Sequence, residues 1–444
     1  MEHDIRELPG RVTRRTYRRR LEMKLRRVSA VLLAAVLAAG TLAGCSGGKE
    51  AATEAASGEK VNLKFYIWSD GENYTREIVD NYNKSQDGVN VEVISMPNET
   101  YDDKLKVMLS AGSDADIVNV RSLDQVMQFK EAGAMKDITD MVKNSDLDIS
   151  KFGSMWDTCY PDGVIIALPM RSSCWMLFYN ADIMKEAGID MAKQMTWSEY
   201  GDIAKQLTSG DGTKYGGCWV DWNIYQCIGT QKGVYLNDDD ITAVKDGLAT
   251  LGRFFLEDKS HVPLAEVKAN DSQYLSDFEN GRVAMLPNGE WLINMLMTDE
   301  KDGKTDVNWE VAPLPIPEGA DPGATWGAFQ FAAIPKDAKY PQESYDFLKY
   351  LCGEGGSEVL PKYGMLPAYG GDAAKEAFDE VVGKESVSSV AFNSKKIPEA
   401  PSYEKYNDLK VAFAENAELY LYGEKTLEET MDKFEQQRQD IMSK

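Results

Sequence analysis

Histidine and cysteine are scarce in this chain, and their scarcity excludes several kinds of site. The 444 residues include two histidines, of which only His261 lies beyond the N-terminal segment. A histidine cluster that binds a metal is therefore excluded, and a catalytic triad could use only that one residue, whose neighbours predict a surface loop. An odd number of widely spaced cysteines follows Cys45, which does not match a disulfide framework. We expect buried free thiols, with a single bridge as the alternative; the five are Cys159, Cys174, Cys218, Cys227 and Cys352.

Basic residues are outnumbered, with 49 Lys and Arg against 72 Asp and Glu and a formal net charge of −23. This balance excludes a nucleic-acid partner, because phosphates need a basic surface. The acids are spread along the chain, which favours a role in solubility over attraction of a cationic ligand. The acidic run 238–240 lacks the alternating oxygen ligands, central Gly and terminal Glu of a calcium-binding loop. We therefore expect neither a metal nor a cofactor.

Apolar runs long enough to cross a membrane are missing as well. The uncharged stretch Val28–Ala43 has 16 residues, and a transmembrane helix needs about 20. Arginines precede this stretch and Leu-Ala-Gly-Cys ends it, which predicts a signal peptide over residues 1–44 with a lipobox. Cys45 would then carry a lipid anchor; the alternative is a plain signal peptide with an incidental cysteine. Residues 1–22 are predicted to be a misassigned start or a long basic leader, and 45–58 a flexible tether.

The remaining 400 residues are too many for one ordinary core, so we expect two lobes. Residues 61–68, 89–93 and 116–120 have the composition of strands, and the segments between them have helical periodicity. This order predicts a parallel sheet covered by helices. Ligands of such sheets bind beyond the carboxyl ends of the strands, here at 68–70 and 119–121.

Several motifs occur in an order that resembles a known family. The chain is similar to the extracytoplasmic sugar-binding proteins of ABC importers, the group that includes maltose-binding protein. The motifs are Leu168-Pro169, Phe178-Tyr179-Asn180, Ala187-Gly188-Ile189, Thr196-Trp197, Phe278 to Trp291, Ala312 to Pro315, and Ala332 to Pro335. No single piece is specific, but together they span most of the chain beyond Cys45.

The resemblance implies an α/β fold of the two-lobed periplasmic-binding-protein type. Each lobe would be a mostly parallel sheet flanked by helices, with the ligand cleft at the hinge. Lobe one is predicted at 59–169 plus 323–368, and lobe two at 170–322 plus 372–444. The implied protein is a monomer without catalytic activity. It would bind a carbohydrate and deliver it to the permease of an ABC transporter, while lipid-anchored on the extracytoplasmic face of the cell membrane.

Sugars need planar hydrogen-bonding groups and aromatic rings on which their apolar faces stack. The aromatic candidates are Trp68, Trp222, Trp291 and Trp326. Each could instead pack in the core; the resemblance favours the cleft for Trp291 and Trp326. The polar candidates, each of which could be a solvated loop residue, are Asp70, Arg121, Arg171, Asp221, Asn288 and Glu290. Arg121 and Arg171 together suggest an acidic sugar as the ligand.

Two other functions stay open at this level. A membrane-tethered glycan-active enzyme would need two carboxylates about 5–10 Å apart, one of them with a raised pKa. Many acids are available, but no pair stands out in the sequence. A polyamine or peptide receptor of the same fold would suit the acidic composition.

Overall fold

The structure is a computed structural model that describes residues 60–153, 155–222, 224–270 and 273–443. The predicted signal peptide, the lipidation site Cys45 and the tether lie outside the described residues. Among those that are described, no helix is both long and apolar enough to cross a bilayer. In the same part of the chain, no three His, Cys, Asp or Glu side chains are grouped to hold a metal ion.

The strands alternate with helices along most of the chain. The strands are β1 (Val61–Trp68), β2 (Val89–Met96), β3 (Ile117–Val120), β4 (Ala167–Ser172), β5 (Trp175–Asn180), β6 (Tyr215–Gly217), β7 (Val283–Gly289), β8 (Trp309–Pro313), β9 (Ala324–Gly327), β10 (Phe329–Ala333) and β11 (Lys395–Pro398).

The helices begin and end at residues that suit those positions. Thr196 and Glu199 form a capping box at the start of one helix, and Pro341 opens another. In the first half of the chain the helices are α1 (Glu72–Ser85), α2 (Tyr101–Ala111), α3 (Leu123–Glu131), α4 (Thr139–Lys143), α5 (Met155–Cys159), α6 (Ala181–Ala187) and α7 (Trp197–Leu207). The rest are α8 (Cys227–Thr230), α9 (Thr242–Gly252), α10 (Leu264–Ala269), α11 (Gln273–Glu279), α12 (Trp291–Lys301), α13 (Pro341–Cys352), α14 (Glu354–Val359), α15 (Asp372–Val382), α16 (Glu385–Asn393), α17 (Tyr406–Leu421) and α18 (Leu427–Ser443).

The first sheet has the strand order β2-β1-β3-β10-β4. Strands β1, β2 and β3 are parallel, as their β-α-β-α-β order predicts. Strand β10 returns from a distant part of the chain and runs antiparallel to both β3 and β4. The sheet is therefore mixed rather than mostly parallel, because the strands beyond β3 are not joined by helical crossovers of the same kind.

The second sheet has the order β6-β7-β5-β8, in which only the β6–β7 pair is parallel. The sequence predicts one strand over residues 326–334, whereas the structure divides this segment at Ala328. Strand β9 pairs with β11, and β10 enters the first sheet. One continuous apolar run thus serves two sheets, which periodicity alone does not reveal.

The chain forms two separate hydrophobic cores, one around each of the two larger sheets. One is built from residues 61–170 and 329–369, and the other mainly from 174–326 and 378–434. The α/β architecture in two lobes agrees with the predicted fold class. Trp326 packs in the second core, so the chain returns to lobe one after that residue and not at 322. The other predicted boundaries stay predictions.

The cysteines and the histidine are core residues. All five cysteines from Cys159 onwards are buried free thiols, with no disulfide among the described residues. The expectation that His261 lies in a surface loop is wrong. Its ring is 2 % exposed, stacks on Phe254 at 4.7 Å between centroids, and contacts the Tyr200 hydroxyl at 3.0 Å. Burial lowers its pKa to about 3, so it is neutral at physiological pH.

Gly216 allows β6 to approach α7 closely, which yields a stability prediction. A Cβ atom at this position would overlap the backbone of Ala204. We expect Gly216→Ala to lower the free energy of unfolding by about 1–3 kcal/mol in urea denaturation. Gly210 is the matched control, because a Cβ atom added there would have no neighbour within 4 Å. An equal loss for Gly210→Ala would contradict the packing argument.

Candidate functional site

The two lobes are joined where three connecting segments lie side by side. The Ser173 N–H donates to the Ala328 carbonyl at 2.7 Å, and the Ala328 N–H donates to the Ser173 hydroxyl at 2.9 Å. The neighbouring Ser172 N–H donates to the Leu366 carbonyl at 2.9 Å. The chain passes between the two hydrophobic cores three times, and the segments at these crossings are hydrogen-bonded to one another. This arrangement is typical of a hinge.

A buried ion pair crosses the junction beside these segments. Arg171 at the end of β4 donates through Nη2 to Glu290 Oε1 at 2.8 Å and through Nη1 to the Tyr74 hydroxyl at 2.7 Å. Glu290 Oε2 accepts the Cys174 N–H at 3.3 Å. The two charged side chains are 3 % and 0 % exposed. Burial acts to lower the pKa of Arg171, but Tyr74 and Glu290 outweigh it and raise that pKa, which keeps the guanidinium charged.

Trp68 and Arg121 meet at the carboxyl ends of β1 and β3, as the topology predicts. The Arg121 guanidinium carbon lies 4.5 Å from the Trp68 ring centroid. Its Nε donates to both carboxylate oxygens of Asp102 at 3.1 and 2.9 Å, and its Nη2 donates to Asn98. Trp68 is buried beneath it. The two side chains therefore bind one another rather than offering a bare ring and a free cation.

The pairing of both arginines removes the basis of the acidic-sugar hypothesis. Arg171 uses both terminal nitrogens on Tyr74 and Glu290, and Arg121 uses Nε and Nη2 on lobe-one oxygens. In Arg171 only the buried Nε lacks a partner among the described residues, so neither arginine presents two neighbouring free nitrogens to a ligand carboxylate. Asp70 is exposed near both of them. Desolvation by the surrounding protein raises the pKa of Asp70, and the charges of Arg121 and Arg171 oppose that rise.

Trp175 is the centre of an aromatic cluster at the lobe junction, and sequence reasoning missed it. Its ring centroid lies 5.3 Å from that of Trp326, 5.5 Å from that of Trp291 and 6.2 Å from that of Trp222. Trp222 and Trp291 are half-buried, and Trp291 packs against both cores. These two rings provide an aromatic surface where the lobes meet.

Trp326 and Asn288 are core residues, which corrects their assignment to the cleft. Trp326 is 0 % exposed and its indole N–H donates to the Cys227 carbonyl at 2.6 Å. Asn288 is equally buried within β7, and its Oδ1 accepts the Gly289 N–H at 2.8 Å. Asp221 accepts the Tyr225 hydroxyl at 2.6 Å and lies 3.2 Å from the Lys268 ammonium.

A mainly apolar cavity between the lobes contains a few polar and charged side chains that the sequence did not single out. It is lined by Asp124 of α3 on one side and by Gln226, Glu399 and Lys410 on the other. Lys410 donates from α17 to Asp124 Oδ2 across the junction. Trp175 Nε1 donates to Glu399 Oε1 at 2.8 Å. Asp124 is three residues beyond the strand end at Arg121, so topology could have indicated it; Glu399 and Lys410 lie in a charged segment without such a signal.

The charges of this cavity are set by burial and by Lys410. Burial acts to raise the pKa of Asp124, but the Lys410 ammonium lowers it below its usual value. Burial raises the pKa of Glu399 to about 7, although Trp175 and Lys410 act in the opposite direction. One carboxylate is therefore held ionised while the other titrates near neutrality.

The cavity encloses about 40 Å³. A buried water needs about 10–15 Å³ by this kind of measure, and small-molecule sites are typically about 300–1,000 Å³. The space is large enough for a few water molecules and too small for a sugar. Access of a sugar-sized ligand to the side chains that line the cavity would require the lobes to move apart at the hinge.

We expect Arg171→Met to lower the free energy of unfolding by about 3–5 kcal/mol, because Glu290 would stay buried without its partner. The double variant Arg171→Met/Glu290→Leu should recover part of this loss. Arg76→Met is the control, since it breaks an exposed pair with Glu72 and should cost less than about 1 kcal/mol. Equal effects of the two single variants in urea denaturation would contradict a structural role for the buried pair.

The raised pKa of Glu399 predicts a pH-dependent difference from Glu399→Gln. The folded protein binds this proton more tightly than the unfolded chain, so folding is favoured at low pH. The contribution is present below pH 4.5 and is lost as the pH rises through about 7. Denaturation at pH 5 to 8 should show wild-type stability falling relative to Glu399→Gln. The exposed Glu404→Gln variant should show no such divergence, and parallel profiles for all three proteins would refute the prediction.

Comparison with known proteins gives matches over most of the chain. A family model described as "Bacterial extracellular solute-binding protein" matches residues 68–358. An uncharacterized lipoprotein of Streptomyces antibioticus is 24% identical over 296 residues, which is 62% of this chain and 63% of that protein. The chain thus spans slightly less than two thirds of this relative. An arabinooligosaccharide-binding protein of Bacillus subtilis is 23% identical over 338 residues, or 71% of this chain and 75% of that protein.

Solved structures support the same fold. An ABC substrate-binding protein from Listeria monocytogenes in complex with cycloalternan superposes with a TM-score of 0.77 at 19% identity. The match covers 87% of this chain and 100% of that structure. At this identity the similarity establishes the two-lobed fold and leaves the ligand to be argued from the residues of the cleft.

Proposed function

The chain belongs to the bacterial extracellular solute-binding protein family, and from this membership we propose that it binds a carbohydrate between its lobes and delivers it to an ABC transporter permease. The arabinooligosaccharide-binding relative and the cycloalternan complex support a carbohydrate as the ligand class. In this proposal the protein acts as a monomer and binds the carbohydrate without catalysing a reaction on it.

The observation that carries the proposal is the combination of aromatic and polar groups at the lobe junction. Trp222 and Trp291 present half-buried rings 5.8 Å apart, measured between centroids. Asp124, Gln226 and Glu399 supply oxygen acceptors in the neighbouring cavity. Trp175 connects this cavity to the two rings, because it donates to Glu399 and contacts both Trp222 and Trp291. A sugar needs both kinds of group, because its hydroxyls hydrogen-bond and its CH face stacks on an aromatic ring. We retain Trp222, Trp291 and Asp70 as ligand-binding candidates and add Asp124, Gln226 and Glu399.

A lipid anchor on Cys45 is part of this proposal. The lipobox that ends at Cys45 and the tether that follows would hold the binding lobes at the outer face of the membrane. The similarity to a protein described as a lipoprotein supports this placement.

The structure offers one observation in favour of an enzyme as the second candidate. Asp124 and Glu399 face the same cavity, one with a lowered pKa and the other with a raised pKa. Such a difference is typical of the acid and the nucleophile of glycoside hydrolases. Asp124 is occupied by Lys410, however, and the family is one of binding proteins. Release of reducing sugars from a glycan by the purified protein would favour the enzyme.

We expect a bound sugar to raise the unfolding free energy by about 2.7 kcal/mol at 100 times its dissociation constant. Thermal unfolding should be measured against neutral sugars, acidic sugars, peptides and polyamines. Trp291→Ala should remove the shift, because it deletes a ring at the lobe junction. Tyr422→Ala is the control, since this ring is 40 % exposed and is not one of the rings clustered around Trp175. A shift with peptides or polyamines alone would overturn the carbohydrate class while keeping the binding function.

A further inference from the structure

Two buried acceptors in the interlobe cavity have no close hydrogen-bond donor among the described residues, although the Ser122 hydroxyl also interacts with the carboxylate of one of them, Asp124. They are Asp124 Oδ1 of lobe one and Gln226 Oε1 of lobe two. Their side chains are 1 % and 2 % exposed. A buried acceptor without a donor costs about 1–3 kcal/mol, so each one calls for a donor from water or from a ligand. Because they come from opposite lobes, a ligand that donates to both would join the lobes.

The charges around these acceptors disfavour an anionic ligand. The titratable groups that line the cavity are Asp124, Glu399, Lys410, Cys159 and Cys227. The pKa values of both thiols are raised by burial, so they are neutral and contribute no charge. Two carboxyl groups thus face one ammonium, which Asp124 already engages. A ligand carboxylate would meet like charge in a poorly solvated space, which is costly.

Lys410 fills the position that a ligand donor would take. It reaches from lobe two to Asp124 Oδ2 in lobe one and supplies a donor while the cavity is too small for a sugar. Asp124 Oδ1, on the same carboxylate, has no close donor in the described part of the chain, and the nearby Ser122 hydroxyl is the other group that interacts with this carboxylate. A sugar hydroxyl could therefore bind Asp124 without displacing the lysine completely.

We propose that Asp124 and Gln226 bind hydroxyl donors of the sugar from opposite lobes, so that the cleft selects neutral sugars and rejects the corresponding uronic acids. This inference rests on the carbohydrate binding proposed above. In this proposal Asp124 determines whether a neutral or an acidic sugar binds, and Gln226 provides a contact from the second lobe.

The experiment measures binding of three matched pairs by titration calorimetry and thermal shift. The pairs are glucose and glucuronic acid, galactose and galacturonic acid, and mannose and mannuronic acid, each as the monosaccharide and the trisaccharide. For whichever pair binds, the wild-type protein should prefer the neutral member at least 100-fold. Asp124→Asn should weaken the neutral sugar and reduce the preference below 10-fold, because Lys410 would lose its carboxylate partner and could bind the carboxylate of a uronic acid.

Gln226→Met is the second variant, since it removes an acceptor without changing the charge. It should weaken the neutral sugar about tenfold or more and leave the preference over the acid intact. Glu131→Gln lies on the same helix as Asp124 at an exposed position, and should change neither quantity. These variants separate loss of charge from loss of a hydrogen bond and from a general change in α3.

The outcomes distinguish this inference from the function on which it rests. Tighter binding of a uronic acid, or an unchanged preference in Asp124→Asn, would overturn the charge selection while the carbohydrate function stands. Unchanged affinity in Gln226→Met would overturn the two-lobe contact. Absence of binding by every pair would count against the carbohydrate function itself, and the inference would fall with it.

Discussion

The buried pair between Arg171 and Glu290 is the interaction on which the arrangement of the lobes depends. It joins the end of a lobe-one strand to the start of a lobe-two helix. Arg171 also donates to the Tyr74 hydroxyl, and Glu290 also accepts the Cys174 N–H. Buried charges are tolerated only when they are paired in this way. The pair lies next to the hydrogen-bonded connecting segments, so it fixes the position from which Trp291 extends between the two cores.

The same pairing explains what the cleft can bind. Arg121 and Arg171, which the sequence suggests as partners of a ligand carboxylate, are already bound to protein oxygens. In the cavity, the polar atoms without partners among the described residues are acceptors, on Asp124 and Gln226. The chemistry of the cleft is therefore decided by which polar atoms the fold leaves unsatisfied, and not by which charged residues lie at strand ends.

Closure brings these groups together from distant parts of the chain. Asp124 follows the third strand, whereas Glu399 and Lys410 lie in the C-terminal part, and the Lys410–Asp124 contact exists only because the lobes meet. The cavity of about 40 Å³ is too small for a sugar, so the binding proposed above requires the lobes to move apart at the hinge. The polar side chains of the cavity and the hydrogen-bonded connecting segments thus lie in one short region of this protein.

Local pattern determined the N-terminal half of the first sheet, the α/β class and the meeting of Trp68 with Arg121, because strand alternation and β-α-β order depend on near neighbours in sequence. Motif order determined the family. The tertiary structure alone decided that β10 runs antiparallel, that Trp326 and Asn288 are core residues, and that Trp175, Asp124, Glu399 and Lys410 share one junction. Burial and charge pairing are properties of contacts between distant segments, and a linear pattern does not contain those contacts.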